Sequence, residues 1–406
     1  MRRALALVAV AVVGVVAGAS VTLALQAREG DAGEAPAPTV APVAPAPEPS
    51  AGTPTSAATR SATTRPEPPT VLAWTAGGLD AALAERVGSL EEVARSTVVA
   101  GDLVTIAATD LRTGPAAGMV LGLDAIAIDP ATYPPFAEPA DRAPLRRLLP
   151  GEAVVGATSA ELHSWGAGDT VALTTGATVR VTAVVADASV GAAELVVPRG
   201  GAATAGIDTD RYLLLRPRHT SDTAAAAVRT TADPAHPLRV RVRVEGETPY
   251  LRSSDAVLPQ ARIKATFGEF AYVPPTSGRD LVQDPRWVAE EIVTAEVPVL
   301  GRVRCHRGLV PALRGALREL ADRNLAGLIQ SHDGCYNPRL VAEGGSISRH
   351  AWGAAIDLNF SGNRTGTASI QDPRLVEVMG RWGFASGDGW LVPDPGHFEY
   401  IGPPRP

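Results

Sequence analysis

The longest apolar run of the chain lies at its N terminus. After Arg2 and Arg3, residues 4–27 contain no charged side chain and are mainly Ala, Val and Leu. About 20 apolar residues cross a bilayer as a helix, and flanking arginines stay on the cytoplasmic side. Residues 1–27 are therefore predicted to be a transmembrane signal anchor. Because residues 17–19 (Ala-Gly-Ala) also fit the cleavage site of a signal peptide, secretion after cleavage is the alternative.

The pattern changes after residue 27. Residues 28–70 are rich in Pro, Ala, Thr, Ser and Glu, with almost no large apolar side chain. Such a segment cannot bury enough surface to offset the entropy of ordering it, so we predict a disordered linker. The residues that follow are expected outside the cytoplasm, either tethered to the cytoplasmic membrane through the N-terminal helix or secreted.

Short apolar stretches separated by turn residues occupy residues 71–237, which predicts a β-rich extracytoplasmic module. A helix is predicted over residues 79–87. Two short strands that meet near Gly101 are predicted within residues 98–107. Further strands are predicted over residues 125–128, 153–156, 171–173, 179–185 and 194–197, with turns at 168–169 and 175–176.

Residues 238–244 alternate strictly between apolar and Arg side chains. This alternation predicts a strand with one apolar and one basic face. We place it in a connecting segment, residues 238–262, and the pattern leaves open which domain it joins. An exposed strand face is the simpler interpretation of the arginines, and contact with an anionic polymer is the alternative.

Residues 263–406 mix helical and strand patterns, so the fold class predicted for the chain is α+β. This domain is expected to hold a small antiparallel sheet with flanking helices. Asp284 and Pro285 suit the N-cap and first turn of one helix, and leucines at helical spacing define another. The predicted elements are helices over 284–294 and 309–324, a strand from 327, a strand over 355–360 and a hairpin that turns at 393–396.

Charge and cysteine content narrow the function classes. The net charge of −6 argues against a nucleic-acid partner, since DNA and RNA binding needs basic surface. Cys305 and Cys335 are the only cysteines. In an exported protein they most economically form one disulfide, and two buried thiols are the alternative. A metal role for Cys305 and His306 is disfavoured because better-placed ligands follow.

Those ligands lie in two short segments of residues 263–406. His350 and Asp357 belong to the first segment, and Asp394 and His397 belong to the second. Two imidazoles and one carboxylate are a ligand set for catalytic zinc, and a further acid can serve as general base. Gly353 allows the chain to bend so that His350 folds back over Asp357. A single histidine is usually a core or surface residue, but this combination favours a zinc site.

The spacing within these segments resembles a known family. The pattern Ser-x-His-x-x-Gly-x-Ala-x-Asp covers residues 348–357, and Asp-x-x-His covers residues 394–397. Both patterns resemble the D-alanyl-D-alanine carboxypeptidase and L-alanyl-D-glutamate endopeptidase group of zinc peptidases. Asp in place of Glu at position 394 is closer to the endopeptidase branch. The resemblance covers roughly the last third of the chain.

The resemblance implies roles for five residues. His350, Asp357 and His397 would bind Zn²⁺, Asp394 would be the catalytic base, and Arg339 would contact the substrate or the developing oxyanion. The implied activity is hydrolysis of a peptide bond in peptidoglycan stem peptides during cell-wall remodelling. The alternative is a non-catalytic wall-binding or scaffold protein with a vestigial metal site. A surface position is the alternative for Arg339.

A second resemblance lies in the β-rich module. Pro-Gly-Glu at residues 150–152 and Gly-x-Gly-Asp-x-Val at 166–171 resemble the extracytoplasmic core domain of ABC-type efflux permeases. The resemblance implies a binding or positioning module, and an accessory role in an efflux machine is a third functional hypothesis. His163 stands alone in this sequence and is predicted to be a surface residue. Trp352, Trp382, Trp390 and Phe398 are candidate walls of the catalytic cleft, and positions in the core are the alternative. His332 is a candidate polar group at the cleft, although a surface position is the simpler interpretation.

Overall fold

The computed structural model describes residues 69–75, 78–108, 118–231, 238–243, 258–341, 345–390 and 392–404. The predicted anchor, residues 1–27, and nearly all of the predicted linker, residues 28–70, lie outside the described residues. Among helices within the described ranges, none is long and apolar enough to cross a membrane. The described residues all belong to one compact unit, and the predicted domain boundary over residues 238–262 stays a prediction.

Eleven strands of the described chain form one large sheet. Nine run in the order β5-β6-β4-β7-β3-β2-β8-β1-β9, and the β10–β11 hairpin joins β3 through Tyr272 and Val120. The pairs β3–β7 and β4–β6 are parallel, and the others are antiparallel. The strands are β1 (Thr70–Trp74), β2 (Val93–Ala107), β3 (Val120–Ile128), β4 (Glu152–Gly156), β5 (Thr170–Ala172), β6 (Thr178–Val185), β7 (Leu195–Pro198), β8 (Asp210–Pro217), β9 (Arg239–Arg243), β10 (Tyr272–Val273) and β11 (Val282–Gln283).

Six helices accompany this sheet in the described part of the chain. Helices α1 and α5 bury apolar side chains against strands β1 and β8. Helix α6 packs beside α3. Their bounds are α1 (Ala81–Gly88), α2 (Arg142–Arg146), α3 (Ala157–His163), α4 (Ala202–Ala205), α5 (Ser221–Thr230) and α6 (Gln260–Phe267).

The strand predictions hold for β3 to β7, but the prediction of two short strands around Gly101 is wrong. Residues Val93–Ala107 form a single strand, β2. Pairing with β8 shifts by one residue between Val99 and Ala100, beside the glycine. Gly101 N–H donates to the carbonyl of Thr209 at 2.9 Å. The glycine therefore marks a bulge within a long strand, a role glycine often has, and does not form a turn.

The alternating Arg segment is confirmed as a strand and joins the large sheet. β9 (Arg239–Arg243) pairs antiparallel with β1 and ends the nine-strand path. Its partner strand β1 belongs to the β-rich region.

The C-terminal region holds a hairpin and a four-stranded antiparallel sheet in the order β14-β15-β17-β16. Together with the large sheet and its helices, this arrangement confirms the α+β class. The elements are α7 (Pro285–Glu291), β12 (Ile292–Val297), β13 (Gly301–His306), α8 (Val310–Asp322), β14 (His332–Gly334), β15 (Ala355–Leu358), α9 (Pro373–Arg381), β16 (Phe384–Gly387) and β17 (Asp394–Tyr400).

The core beneath this sheet confirms two further predictions. The leucine stripe of α8 (Leu309, Leu313, Leu317 and Leu320) is fully buried. The helix packs with α9 against Ile356, Leu358 and Phe398 of the sheet. Cys305 and Cys335 form the predicted disulfide, with their Cα atoms 4.9 Å apart.

The strand predicted over residues 355–360 ends at Leu358, because Asn359 adopts the left-handed conformation and Phe360–Gly362 form a 3₁₀-helix. Three further predicted boundaries are wrong in this region. The helix capped by Asp284 ends at Glu291, because the β-branched run that starts at Ile292 pairs with β13. Residues 326–328 form one turn of 3₁₀-helix in place of a strand. The side-chain amide of Asn359 bonds Gln330 N, Ser331 N and Leu328 O, so these groups do not enter a ladder.

The third error concerns the hairpin near the C terminus. Residues 393–396 were predicted as its turn, but β17 begins at Asp394 and pairs with β16 from Gly387. The pairing shifts at Gly387, which leaves an irregular stretch where Pro395 fits, since proline cannot donate to a regular ladder. Asp394 is therefore the first residue of a strand.

Candidate metal centre

Three predicted ligand residues meet at the junction of β15 and β17. Asp357 Oδ1 lies 3.2 Å from His350 Nε2 and 3.1 Å from His397 Nδ1, and the two nitrogens lie 3.1 Å apart. Both imidazoles are more than nine-tenths buried, and the carboxylate is half-buried. The three ligand atoms thus form a nearly equilateral triangle in which the carboxylate of Asp357 is the most exposed member.

Strand register brings two of these residues together. Asp357 of β15 lies directly opposite His397 of β17 in the antiparallel ladder. Directly opposed residues project from the same face of a sheet with their Cβ atoms about 4.5–5.5 Å apart. The carboxylate and the imidazole therefore meet wherever this register forms.

The third ligand, His350, lies in a tight turn that precedes β15. Ser348 caps a short 3₁₀-helix, Arg349–Trp352, by accepting a hydrogen bond from His350 N. Gly353 ends the helix at φ +63°, in the left-handed region. A Cβ at this position would lie 2.6 Å from the backbone nitrogen of His306. Glycine is therefore required where the chain folds back toward Asp357.

Contacts on the outer side of each imidazole determine which nitrogen faces the triangle. His350 Nδ1 donates to the carbonyl of Cys335 at 2.9 Å, which leaves Nε2 directed at the triangle. His397 Nε2 lies 3.8 Å from Glu399 Oε2, which leaves Nδ1 as its inner atom. Glu399 is fully buried and accepts from Leu258 N at 3.0 Å. Outer partners of this kind fix the orientation of metal-binding histidines.

The electrostatics of the triangle favour a positive charge. Burial alone would raise the pKa of Asp357, but hydrogen bonds and charge from His350 and His397 hold it well below its usual range. Burial would lower the pKa of His397, but Asp357 and Glu399 together raise it to about 10. A buried carboxylate among imidazoles therefore retains its negative charge and stabilises a cation, either a proton or a metal ion.

The donor set and its spacing fit zinc. Two nitrogens and one carboxylate oxygen are a usual set for catalytic zinc, with a fourth position left open. Tetrahedral bonds of about 2.0–2.1 Å place ligand atoms about 3.3–3.4 Å apart. The separations of 3.1–3.2 Å in the triangle are close to that requirement. His350, Asp357 and His397 are thus the residues that would hold the ion.

Asp394 lies beside the triangle at the start of β17, three residues before His397. Its Oδ1 is buried, and no hydrogen-bond partner lies within reach among the described residues. Burial raises the pKa of this carboxyl, and the nearby His397 opposes that rise. A carboxylate with one oxygen uncommitted can accept a proton from a molecule bound in the centre.

Arg339 lies on the chain that leads to the first ligand. Its carbonyl accepts from Ser348 N, the residue that caps the turn before His350, and its backbone forms a bridge with Asp280. The guanidinium Nε is buried, and within the described ranges it has no hydrogen-bond partner. The position is near the centre, and the role of Arg339 stays a prediction.

The aromatic residues proposed as cleft walls separate into two groups. The Trp390 ring lies 5.2 Å from the His397 ring, between centroids. Trp352 and Phe398 are buried in apolar clusters, and Trp382 donates to Glu319 on α8. His332, the other candidate, lies on β14 opposite Leu358. Trp390 is the aromatic residue of this set that contacts a ligand.

Two histidines outside the centre have structural partners. His306, considered with Cys305 as a metal ligand, lies 3.0 Å from the carbonyl of Phe267 and 3.2 Å from Glu291. The prediction that His163 is a surface residue is wrong. Its side chain is 8% exposed and stacks on Trp165, with Nδ1 3.8 Å from Glu269.

His163 belongs to a buried group that the sequence did not reveal. One of its ring nitrogens and one carboxylate oxygen from each of Glu194 and Glu269 lie within 4.8 Å of one another. Lys264 Nζ occupies the middle of this group, 2.7 Å from Glu194 and 2.6 Å from Glu269. The lysine ammonium already supplies the cation that these carboxylates need.

A comparison with known protein families confirms the first resemblance stated from the sequence, that of the C-terminal region. Residues 342–400 match the family model described as D-alanyl-D-alanine carboxypeptidase. No curated protein matches the chain. Among solved structures, it is similar to the periplasmic region of MacB from Actinobacillus actinomycetemcomitans, with 11% identity, a TM-score of 0.30, and coverage of 42% of this chain and 87% of that one. It is also similar to the extracellular domain of the noncanonic ABC-type transporter YknZ from Gram-positive bacteria, with 13% identity, a TM-score of 0.29, and coverage of 42% and 98%.

Proposed function

We propose that this protein is a zinc-dependent peptidase that hydrolyses a peptide bond in peptidoglycan stem peptides. One observation carries the proposal: Asp394, with an uncommitted carboxylate oxygen, lies beside the buried triangle of His350, Asp357 and His397. The match of residues 342–400 to a carboxypeptidase family supports the substrate class. Both D-alanyl-D-alanine carboxypeptidase and L-alanyl-D-glutamate endopeptidase activity fall within the proposal.

The residues of the site have distinct tasks. His350, Asp357 and His397 would hold the ion. Their orientations are set by the strand register, by the hydrogen bond from His350 to the Cys335 carbonyl and by the contact of His397 with Glu399. When bound, zinc supplies a Lewis acid that polarises a carbonyl and acidifies a water molecule. Asp394 accepts the proton from the attacking water at Oδ1 and returns it to the leaving amine, so that the C–N bond breaks with no net change in protons.

Two further residues act on the substrate. Arg339 presents a planar, permanently charged guanidinium that can bind a carboxylate or an oxyanion through two parallel N–H bonds. Trp390 lies against His397 and forms an apolar wall beside the reacting bond. An anionic stem peptide with short apolar side chains suits this pairing of charge and apolar surface.

The protein is proposed to work outside the cytoplasm, anchored to the cytoplasmic membrane through residues 1–27, with residues 28–70 as the spacer. The disulfide between Cys305 and Cys335 supports this location, because disulfides persist in oxidising compartments. The β-rich region would then position the catalytic region relative to the wall.

The test is a mass-spectrometric analysis of muropeptides after purified wall sacculi are incubated with the full chain and zinc. The proposal predicts one shortened or opened stem peptide, whose mass identifies the bond, and no change with His397→Ala. Zinc-loaded wild type that leaves every muropeptide unchanged would overturn the proposal. Tight sacculus binding in that sample would instead favour a wall-binding protein with a vestigial site.

A further inference from the structure

Helix α6 connects the large sheet to the metal centre. Gln260 and Lys264, one helical turn apart, both reach Glu194, the residue that precedes β7. Lys264 Nζ lies 2.7 Å from Glu194 Oε1, and Gln260 Nε2 lies 2.8 Å from Glu194 Oε2. Both side chains also donate to the carbonyl of Gly122 in β3, at 2.6 and 3.0 Å. The helix is thus bonded to two neighbouring strands of the sheet.

The side chains that bond α6 to the sheet are shielded from solvent. Glu194, Gln260 and Lys264 are each no more than 2% exposed. Burial would lower the pKa of Lys264, but Glu194 and Glu269 raise it above its ordinary value, so the ammonium stays charged. Removing Lys264 would leave the carboxylates of Glu194 and Glu269 without their shared cation, and removing Glu194 would leave Lys264 with one of its two anionic partners. The charge pair therefore restricts where α6 can lie on the sheet.

The chain just before α6 reaches the metal centre. Leu258 N donates to Glu399 Oε1 at 3.0 Å, and Leu258 O accepts from Arg349 at 2.6 Å. Glu399 Oε2 lies 3.8 Å from the outer nitrogen of His397. Leu258 thus contacts Glu399, which is the outer partner of His397, and Arg349, which precedes His350 in the chain.

Apolar packing joins the same elements. Ile263 and Phe267 of α6 share one buried cluster with Val120 of β3. Ala351 and Trp352, from the turn that carries His350, belong to this cluster. A shift of α6 on the sheet would therefore move the surroundings of the ligands as well as Leu258.

We propose that Glu194 and Lys264 are positioning residues for the metal centre: by anchoring α6 to the sheet they fix Leu258, which holds Glu399 and Arg349 and so orients His397 and His350. The inference rests on the proposed function only in taking His350, Asp357 and His397 as metal ligands. It assigns the β-rich region a task in metal binding, through one helix.

The experiment measures metal binding without turnover, in the full chain. Lys264→Met and Glu194→Gln are compared with wild type for zinc affinity, by competition with a chelator, and for the visible spectrum of the cobalt form. Changes in outer partners of metal ligands cost about 10–100-fold in affinity. We expect each variant to lose about tenfold and to change the cobalt spectrum, which reports ligand geometry.

A double variant and a matched control separate positioning from general destabilisation. Because Glu194 and Lys264 act as one unit, the double variant should lose no more than the worse single variant. Val228→Ala removes buried volume from a separate apolar cluster formed by α1, α5 and strands β1 and β8. This control should lower the unfolding temperature while keeping zinc affinity and the cobalt spectrum. If Lys264→Met does not fold, the zinc affinity and cobalt spectrum of Glu194→Gln and Gln260→Ala are compared with those of wild type instead.

The outcomes are distinct. If wild type binds zinc and the folded variants show the same zinc affinity and the same cobalt spectrum as wild type, this inference is wrong. The proposed function would then be unaffected. An equal loss in Val228→Ala would overturn this inference as well. Wild type that binds zinc tightly without hydrolysing wall peptides would overturn the proposed function alone. Wild type that binds no zinc would overturn both.

Discussion

Asp357 and His397 face each other across the β15–β17 ladder, with Oδ1 and Nδ1 3.1 Å apart. Because side chains on a strand alternate between faces, a slip of one residue would send one of them to the opposite face. The metal centre therefore depends on the register of a short sheet, and that register is held by buried Ile356 and Phe398, the adjacent opposed pair.

The first prediction tests the ligand set. His350→Ala and His397→Ala should each lose bound zinc, since two remaining protein ligands hold zinc far less tightly than three. Metal content after gel filtration measures this directly. His332→Ala removes a nearby imidazole that is not part of the triangle and should retain zinc. Near-stoichiometric zinc in both ligand variants would show that the assignment is wrong.

Gly353 offers a test of the turn that carries His350. Gly353→Ala forces alanine into the left-handed region, which costs about 1–3 kcal/mol. Its Cβ would also meet His306 N at 2.6 Å. Gly366→Ala is the matched control, because φ there is +83° and a Cβ would meet nothing within 4 Å. Urea unfolding should show a larger loss for Gly353→Ala, and equal losses would mean that the close approach is unimportant.

The disulfide links stability to the metal centre. Cys305→Ser with Cys335→Ser should lower the free energy of unfolding by about 2–4 kcal/mol, because the bridge restricts the unfolded chain. Zinc affinity should also fall, since the Cys335 carbonyl orients His350. Calorimetry and chelator competition measure the two effects. If both thiols of unreduced, denatured wild type react with an alkylating reagent, the bridge is absent in solution.

Buried His163 gives a pH dependence of stability. Burial lowers its pKa below the usual 6.5, and Glu269 opposes that shift only in part. The unfolded state therefore binds more protons below about pH 6.5, so this residue makes stability fall as pH drops through that value. Urea unfolding at pH 7.5 and 5.5 should show a smaller loss in His163→Gln than in wild type. The exposed His219→Gln should match wild type, and an unchanged loss in His163→Gln would contradict the argument.

The sequence predicted those features that depend on neighbours along the chain. The spacing within residues 348–357 and 394–397 was enough to predict which side chains meet at the centre. The leucine stripe of α8 and the strands β3 to β7 followed from periodicity, because side-chain burial repeats with the geometry of each element. The disulfide followed from cysteine count and compartment.

The features that were missed depend on contacts far apart in sequence. The group of His163, Glu194 and Lys264 has no local pattern, since a buried charge looks like a surface charge until its partner is known. Two short strands were predicted around Gly101, because a glycine within a strand pattern is as typical of a break between strands as of a bulge. The helix after Asp284 was predicted too long, because pairing with β13 decides the state of the residues from Ile292 onward.

Asp394→Asn separates proton transfer from metal binding when turnover on muropeptides and zinc content are measured in the same sample. Asparagine keeps the shape of the side chain but cannot accept the proton, and loss of a general base costs about 100-fold or more. We predict full zinc content with turnover lowered by at least about that factor, while Glu399→Gln loses less. Near-normal turnover in metallated Asp394→Asn, with metallated Glu399→Gln inactive, would contradict the account.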